Sequence, residues 1–258
     1  GVHFRLGEAA PEGIGHKAIG AALSDIAAMG GRPVAALAWV AAPRGTAAGT
    51  MRGIMEGMRR LAERHDVRIV GGDTVATPGP LTVAAAVLGR PCGRAILRSG
   101  ARPADRFLVS GALGGSSRGR HLSFEPRVRE GIRLASEFGV HAMIDISDGL
   151  GRDLGRLCAA SGVGARITAS AIPVSEDAVA LSRRTGRPPW RHAWADGEDF
   201  ELLVAAGSAE ADRILADRGW EVPWTAIGTA VAGPGAMVLP DGTEGPLAPE
   251  GYRHDFSA

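Results

Sequence analysis

Residues 15–42 read GHKAIGAALSDIAAMGGRPVAALAWVAA, and this stretch sets the fold class. Ala18, Ala22, Asp25 and Met29 recur at i, i+4, i+7 and i+11, one stripe of an amphipathic helix over 15–29. Ile19, Leu23 and Ile26 widen its apolar face. Asp25 therefore falls on or beside the buried stripe, where a carboxylate is costly unless paired or metal-bound. Gly30-Gly31 ends the helix, and 33–42 follows as an almost wholly apolar strand. Outward from there, 50–65 predicts a second amphipathic helix with Ile54, Met58 and Leu61 on one face. Residues 67–70 predict a short strand ending in Gly71-Gly72-Asp73, and 81–88 a further strand. Helix and strand alternate and close on an adjacent strand pair. That order predicts an α/β chain, more narrowly α+β, with mixed sheets covered by helices.

Turn chemistry at Arg98-Ser99-Gly100-Ala101-Arg102-Pro103 marks a break. It divides the chain into an N-terminal unit, 1–99, and a C-terminal unit, 100–258. The second unit predicts strands at 107–110, 142–146, 165–167, 200–205 and 225–231, and helices at 127–138, 147–161, 175–184 and 209–217. The chain of 258 residues is 45% apolar and 22% charged, enough for a real core and wrong for a disordered chain. A net charge of +1 supplies no field for nucleic acid or an anionic membrane. No apolar run reaches the roughly 20 residues of a membrane span. Cys92 and Cys158 cannot form a disulfide framework and lack zinc-ligand spacing, which fits a reducing, cytoplasmic setting. Lys17 is the only lysine and is followed by Ala18, so there is neither a Gly-Lys-Ser/Thr phosphate loop nor a protein-kinase strand lysine. Any handling of ATP must then rest on metal ions, arginine and backbone amides. The chain opens Gly1-Val2-His3-Phe4 without a methionine, which is expected of a fragment.

Acidic residues cluster where elements meet. Asp25 is either a solvated or arginine-paired residue or a ligand. Asp73 is either a turn residue or a carboxylate aimed at a ligand that the double glycine lets come close. In Asp145-Ile146-Ser147-Asp148-Gly149, Asp145 ends a strand, while Ser147 and Asp148 either cap the next helix or serve a site. Four carboxylates at element ends suit a hard cation, since magnesium takes oxygen ligands and bridges phosphates. Asp196-Gly197-Glu198-Asp199-Phe200-Glu201-Leu202 reads as an exposed polar turn or as a further acidic site loop. Trp190 and Trp194, just upstream, suit core packing better than a ligand pocket. Gly111-Ala112-Leu113-Gly114-Gly115, after a strand, could hold phosphate on its amides but lacks dinucleotide spacing. Arg98 faces either a phosphate or the other unit. The histidines at 3, 16, 65, 121, 141, 192 and 254 show no metal spacing, and there is no nucleophile elbow.

Five strings in this order, Leu23-Ser24-Asp25-Ile26-Ala27-Ala28-Met29-Gly30, Gly71-Gly72-Asp73-Thr74, Arg98-Ser99-Gly100-Ala101, Asp145-Ile146-Ser147-Asp148-Gly149-Leu150 and Gly197-Glu198-Asp199-Phe200-Glu201-Leu202, resemble the thiamine-monophosphate kinase family from end to end. Gly1-Val2-His3-Phe4 and Gly251-Tyr252 fit as well. The resemblance implies a two-domain aminoimidazole-ribonucleotide synthetase-like fold and a homodimer. It implies transfer of the ATP γ-phosphoryl group to thiamine monophosphate, giving thiamine diphosphate. Carried over, Asp25, Asp73, Asp145 and Asp148 hold several Mg²⁺ ions. Gly72, Asp73, Arg98 and Ser147 contact ATP, and His3, Glu198 and Tyr252 contact the thiamine phosphate. No general base is implied, because the acceptor phosphate is largely ionised at pH 7.

Two departures bear on this. The family's Gly-Asp-Asp motif and a further aspartate strand precede its Gly-Val-His-Phe stretch and supply metal ligands. Neither is in this sequence, so the resemblance implies an N-terminally incomplete chain that turns over only when that part is supplied. The connection at 116–125 is also shorter than the family's, which leaves one wall of the site open to question. Competing readings are a sister ATP-dependent enzyme of the superfamily and a non-catalytic nucleotide-binding or dimerisation module. Against the sisters stand the Ser147-Asp148-Gly149 loop and an end, Phe256-Ser257-Ala258, without a reactive cysteine.

Overall fold

A computed structural model describes residues 1–253; His254 and the closing 256–258 lie outside them. The first part contains α1 (Pro11–Ala28), β1 (Gly31–Pro43), α2 (Ala48–Arg64), β2 (Arg68–Thr77) and β3 (Thr82–Pro91). β1 lies between β2, parallel to it, and β3, antiparallel, in a three-stranded sheet. Pro11 opens α1, where the missing N–H costs nothing. The helices α1 and α2 touch through glycine: a Cβ on Gly15 would lie 1.8 Å from the Ile54 carbonyl oxygen, and one on Gly57 1.9 Å from that of Glu12. The backbones pack closer than any side chain allows.

The second part contains β4 (Arg106–Ser110), α3 (Val128–Glu137), β5 (Val140–Asp145), α4 (Leu150–Ser161) and β6 (Gly164–Thr168). It continues with α5 (Glu176–Thr185), α6 (Pro189–Ala195), β7 (Leu202–Ala206), α7 (Ser208–Ala216), β8 (Trp224–Val231), β9 (Ala236–Val238) and β10 (Glu244–Pro246). These strands form one seven-stranded sheet in the order β10-β9-β6-β8-β4-β7-β5. Strand β7 is apolar and buried throughout, and β4 between Arg106 and Ser110, because both faces are covered there. Leu108, Val204 and Met143 face the core shared with α1, α3 and α7, while Phe107, Val109 and Leu203 face α4 and α6. The first of these cores runs without interruption from α1 into α3 and β7.

Three local expectations change. Gly71-Gly72-Asp73 does not end a strand but lies in the middle of β2. The register with β1 slips there, and Gly72, at φ +146°, passes so close to Ala38 that a Cβ would lie 1.7 Å from its carbonyl oxygen. The unpaired residue is Val70, between Ile69 and Gly71, and the bulge there lets the strand continue. On α1 the buried residues include Ile14, Lys17, Ile19, Leu23, Ser24 and Ala27, so the stripe through Ala18, Ala22, Asp25 and Met29 is the half-open edge instead. The helix after Asp145 begins at Leu150, since Gly149 at φ +105° breaks the first turn. Helix α6 and the short turns at Ser116–Arg118 and Arg120–Leu122 give no periodic signal and were not expected. No helix among the described residues is long and apolar enough to cross a membrane.

Candidate active site

Two loops build the floor of the site. The segment after β5 and the segment before β7 run side by side. Ile146 N–H donates to the Glu201 carbonyl (2.8 Å), Phe200 N–H to that of Ile146 (2.8 Å), and Glu198 N–H to that of Ser147 (2.7 Å). The second loop bends through left-handed backbone at Gly197, Glu198 and Phe200, with φ of +73°, +57° and +53°. Two non-glycine residues in that region cost free energy that the surroundings must offset, a pattern typical of functional sites. Phe200 is held by stacking on Phe124 at 4.0 Å between centroids, and Ser116 Oγ donates to the Glu198 carbonyl.

The acidic run is not an exposed turn. Asp199 and Glu201 are each 2% exposed and act within the fold. Asp199 accepts from Gly114 N–H and from Arg120 (2.6 Å). Glu201 accepts from Ser110 and Arg127, and Asp196 from Gly115 N–H. The glycine loop therefore cannot offer its amides to phosphate in the way considered from sequence. Gly114 and Gly115 spend theirs on Asp199 and Asp196, and Leu113 gives its own to Pro173. Glu198 and Asp196 are the acids of the run that reach the cavity, Glu198 with an ion-paired but accessible carboxylate and Asp196 with one that also accepts from Gly115 N–H.

That cavity, about 460 Å³, lies between α1, the N-terminal segment and these loops. Asp25, Asp145, Ser147 and Asp148 line it, together with His3, Glu198 and Tyr252. Seven of the residues expected from sequence thus meet in one place. Gly72, Asp73 and Arg98 do not line it. Asp73 is exposed on β2, level with Trp39 on β1, and its carboxylate accepts from Thr74 N–H. Arg98 is exposed, yet close enough to Asp25 to favour its ionised form. A larger open groove of about 1080 Å³ between α2 and β2 has charges that pair among themselves, Arg59 with Glu56 and Glu63.

The electrostatics are uneven. Burial pushes the Asp145 carboxyl up to about 7, and the Asp25 carboxylate adds to the rise, while the Ser24 hydroxyl, donating at 2.7 Å, opposes it. Asp25 is raised by desolvation from the cavity walls, against the pull of Arg98. Asp148 is paired with Arg156 at 2.5 Å. Neither Ser147 nor Asp148 caps α4. The residue that does the local work is Asp153, fully buried one turn into the helix, which accepts from Ser147 N–H (2.9 Å) and Asp148 N–H (2.8 Å). An acid in the first turn of a helix after glycine was the sequence signal for it. Trp194 is core, 1% exposed, with its N–H on the Ala248 carbonyl. That bond helps fold the tail over α4, where Tyr252 N–H reaches the Asp148 carbonyl (2.9 Å). The short 116–125 connection forms two tight turns that set Arg120 on Asp199 and His121 beside Glu198, and none of its residues lines the cavity.

The family of this fold is defined by two matched domains. Residues 1–90 match the AIR synthase related protein N-terminal domain, and residues 95–239 the corresponding C-terminal domain. The class is therefore that of the AIR synthase-related proteins. Within it, the chain is 43% identical over 231 residues to thiamine-monophosphate kinase of Rhodopirellula baltica, covering 90% of this chain and 72% of that one. The crystal structure of thiamine-monophosphate kinase from Stenotrophomonas maltophilia superposes with a TM-score of 0.83 at 32% identity, over 93% of this chain and 82% of the other. AaThiL complexed with AMPPCP and TMP superposes at 0.84 with 27% identity, over 98% and 84%. The chain belongs to the thiamine-monophosphate kinase family.

Proposed function

We propose that this chain transfers the γ-phosphoryl group of ATP to the phosphate of thiamine monophosphate, giving thiamine diphosphate and ADP. The observation that carries the reading is the meeting of Asp25, Asp145 and Asp148 with His3, Glu198 and Tyr252 in one cavity. Acid residues that can hold a cation against phosphate share the cavity with polar groups able to hold an acceptor. Relatives named for this activity at 43% identity, and a structural neighbour holding an ATP analogue and TMP, support the same substrates.

Magnesium fits the donor set. Asp145 is buried, its hydrogen-bond partner is a hydroxyl, and the charged groups around it are the acids Asp25 and Asp153. A carboxyl in that setting is stabilised as an anion by an added hard cation. Among the described residues no three acidic, histidine or cysteine side chains stand close enough to hold an ion by themselves. One or two carboxylates with water and phosphate oxygens is the usual arrangement for this ion. Bound there, Mg²⁺ supplies neutralisation of the phosphate charge. Asp25, Asp145, Asp148 and Asp73 are assigned to it. Ser147, Arg98, Gly72 and Asp73 are assigned to ATP, and His3, Glu198 and Tyr252 to the thiamine phosphate. The acceptor oxygen is already ionised near neutral pH, so orientation rather than proton removal is the task of these residues.

We also read the chain as two units, 1–99 and 100–258, and as a cytoplasmic homodimer. Among the described residues no helix covers the sheet face that carries Trp39 and its register partner Ala84, and Trp39, Leu88 and Val75 are 39%, 65% and 47% exposed. A contiguous apolar patch of this kind marks an interaction surface. Cys92 and Cys158 are free, as a reducing compartment allows. The test is ADP release coupled to thiamine diphosphate formation, in this chain and in one extended upstream by the family's acidic segment. TMP-dependent turnover is expected in the extended chain, and there Asp145→Asn should lower kcat/KM on the order of 10²-fold or more. Turnover in neither chain, both being folded, would overturn the reading.

A further inference from the structure

The lone lysine of the chain is buried in the wall of the cavity. Lys17 lies on the inner face of α1, 6% exposed. An ammonium group has three donors and no acceptor. All three are taken: by the His3 carbonyl oxygen at 2.6 Å, His121 Nδ1 at 2.7 Å and Glu198 Oε1 at 2.5 Å. Nothing is left with which to grip a phosphate. The three acceptors belong to three different parts of the molecule: the N-terminal segment, the Arg120–Leu122 turn and the strained loop before β7. Each carries or adjoins a wall of the cavity, and two of them, His3 and Glu198, are residues assigned above to the thiamine phosphate.

We propose that Lys17 is a positioning residue for the acceptor substrate: its ammonium pins the Glu198 carboxylate by Oε1, leaves Oε2 outside that bond, and ties the N-terminal segment down beside the cavity. A hydrogen bond from the ammonium to His121 Nδ1 requires the neutral imidazole with its proton on Nε2. His121 is then an acceptor that completes the coordination of the ammonium, and the 3.3 Å approach of its Nδ1 to Glu198 Oε2 is not a hydrogen bond. The charge of Glu198 is balanced locally, so the carboxylate can accept from an N–H group of the substrate without burying an unpaired charge. The clamp bonds His3 and Glu198, both assigned to the acceptor, and makes no hydrogen bond to Asp25, Asp145 or Asp148. This inference rests on the reading that thiamine monophosphate is the acceptor.

The experiment is calorimetric binding of thiamine monophosphate and, separately, of an ATP analogue, to the wild-type chain and to Lys17→Met, Glu198→Gln and the double variant. Lys17→Met is expected to weaken thiamine monophosphate binding at least tenfold and to change nucleotide binding less than twofold. In the double variant the loss should be close to that of Glu198→Gln alone, because the lysine acts through that carboxylate. Equal loss for both ligands, additive losses, or an unchanged affinity would overturn the proposal. A wild-type chain that binds nucleotide but no thiamine monophosphate would instead sink the substrate assignment and this inference with it. Should Lys17→Met not fold, labelling with ¹⁵Nζ-lysine decides the matter, since the chain yields a single side-chain signal. That signal should move on adding thiamine monophosphate and stay in place on adding the nucleotide; the reverse, or no movement, would overturn the proposal.

Discussion

Asp145 shows how one buried carboxyl couples stability to pH. Its value of about 7 lies above that of an unfolded aspartate, 3.8. The native chain therefore holds a proton that the unfolded chain has released. The stabilisation from this group is complete below about pH 4 and is lost as the pH rises through 7. The slope is at most ~1.4 kcal/mol per pH unit. In metal-free buffer, Asp145→Asn should flatten urea-derived stability between about pH 4 and 7 relative to wild type. An unchanged difference between the two chains across that range would mean that the carboxyl is ionised in the native state. Nearby, Asp153 shows the opposite use of a buried acid: two N–H donors and Arg156 at 2.6 Å hold it, and it fixes Ser147 and Asp148 without touching the cavity.

At the scale of elements, the site depends on how α1 is held. Lys17, Ala21 and Asp25 lie on one helix that also packs on α2 through Gly15 and Gly57. Replacing Gly57 by alanine should gain about 1 kcal/mol in helix propensity. Against that, the new Cβ would meet the Glu12 carbonyl at 1.9 Å, a backbone atom that cannot swing away. Overpacking of this kind costs typically 1–3 kcal/mol and more where backbone must move. A net loss of about 2 kcal/mol or more in chemical denaturation is expected for Gly57→Ala. A neutral or more stable variant would show that the two helices can separate cheaply. The loops at 145–149 and 196–201 have no comparable latitude, since three backbone hydrogen bonds join them and left-handed residues shape one of them.

At the scale of the whole molecule, the three-stranded sheet is covered on one face only. The other face sets Trp39 beside alanines and Leu88 and has Asp73 at its β2 edge. Trp39→Glu should convert a dimer into a monomer in sedimentation velocity while leaving the far-ultraviolet spectrum of the chain unchanged. A wild-type chain that sediments as a monomer would remove the homodimer from the reading. The seven-stranded sheet needs no such partner, because α4 and α6 cover one face and α1, α3 and α7 the other.

Much of this was open to reading before any coordinates. Alternation of helical and extended periods places the elements, since burial on one face or two is written into the spacing of apolar side chains. The motifs with acids at Asp25, Asp145 and Asp148 and at Glu198 mark one chemistry, because hard cations and phosphates demand oxygen donors at element ends. What spacing along a chain cannot convey is which acids share a cavity and which are spent inside the fold. Asp199 and Glu201 differ from Glu198 only in what folds against them: a backbone amide of the glycine loop, Arg120, Arg127 and Ser110. Likewise, the single lysine reads as a gap in the machinery until His3, His121 and Glu198 are brought around it from positions up to 181 residues away. Hydrogen bonding is short-ranged in space and indifferent to sequence separation, so the roles of such residues were decided by tertiary structure alone.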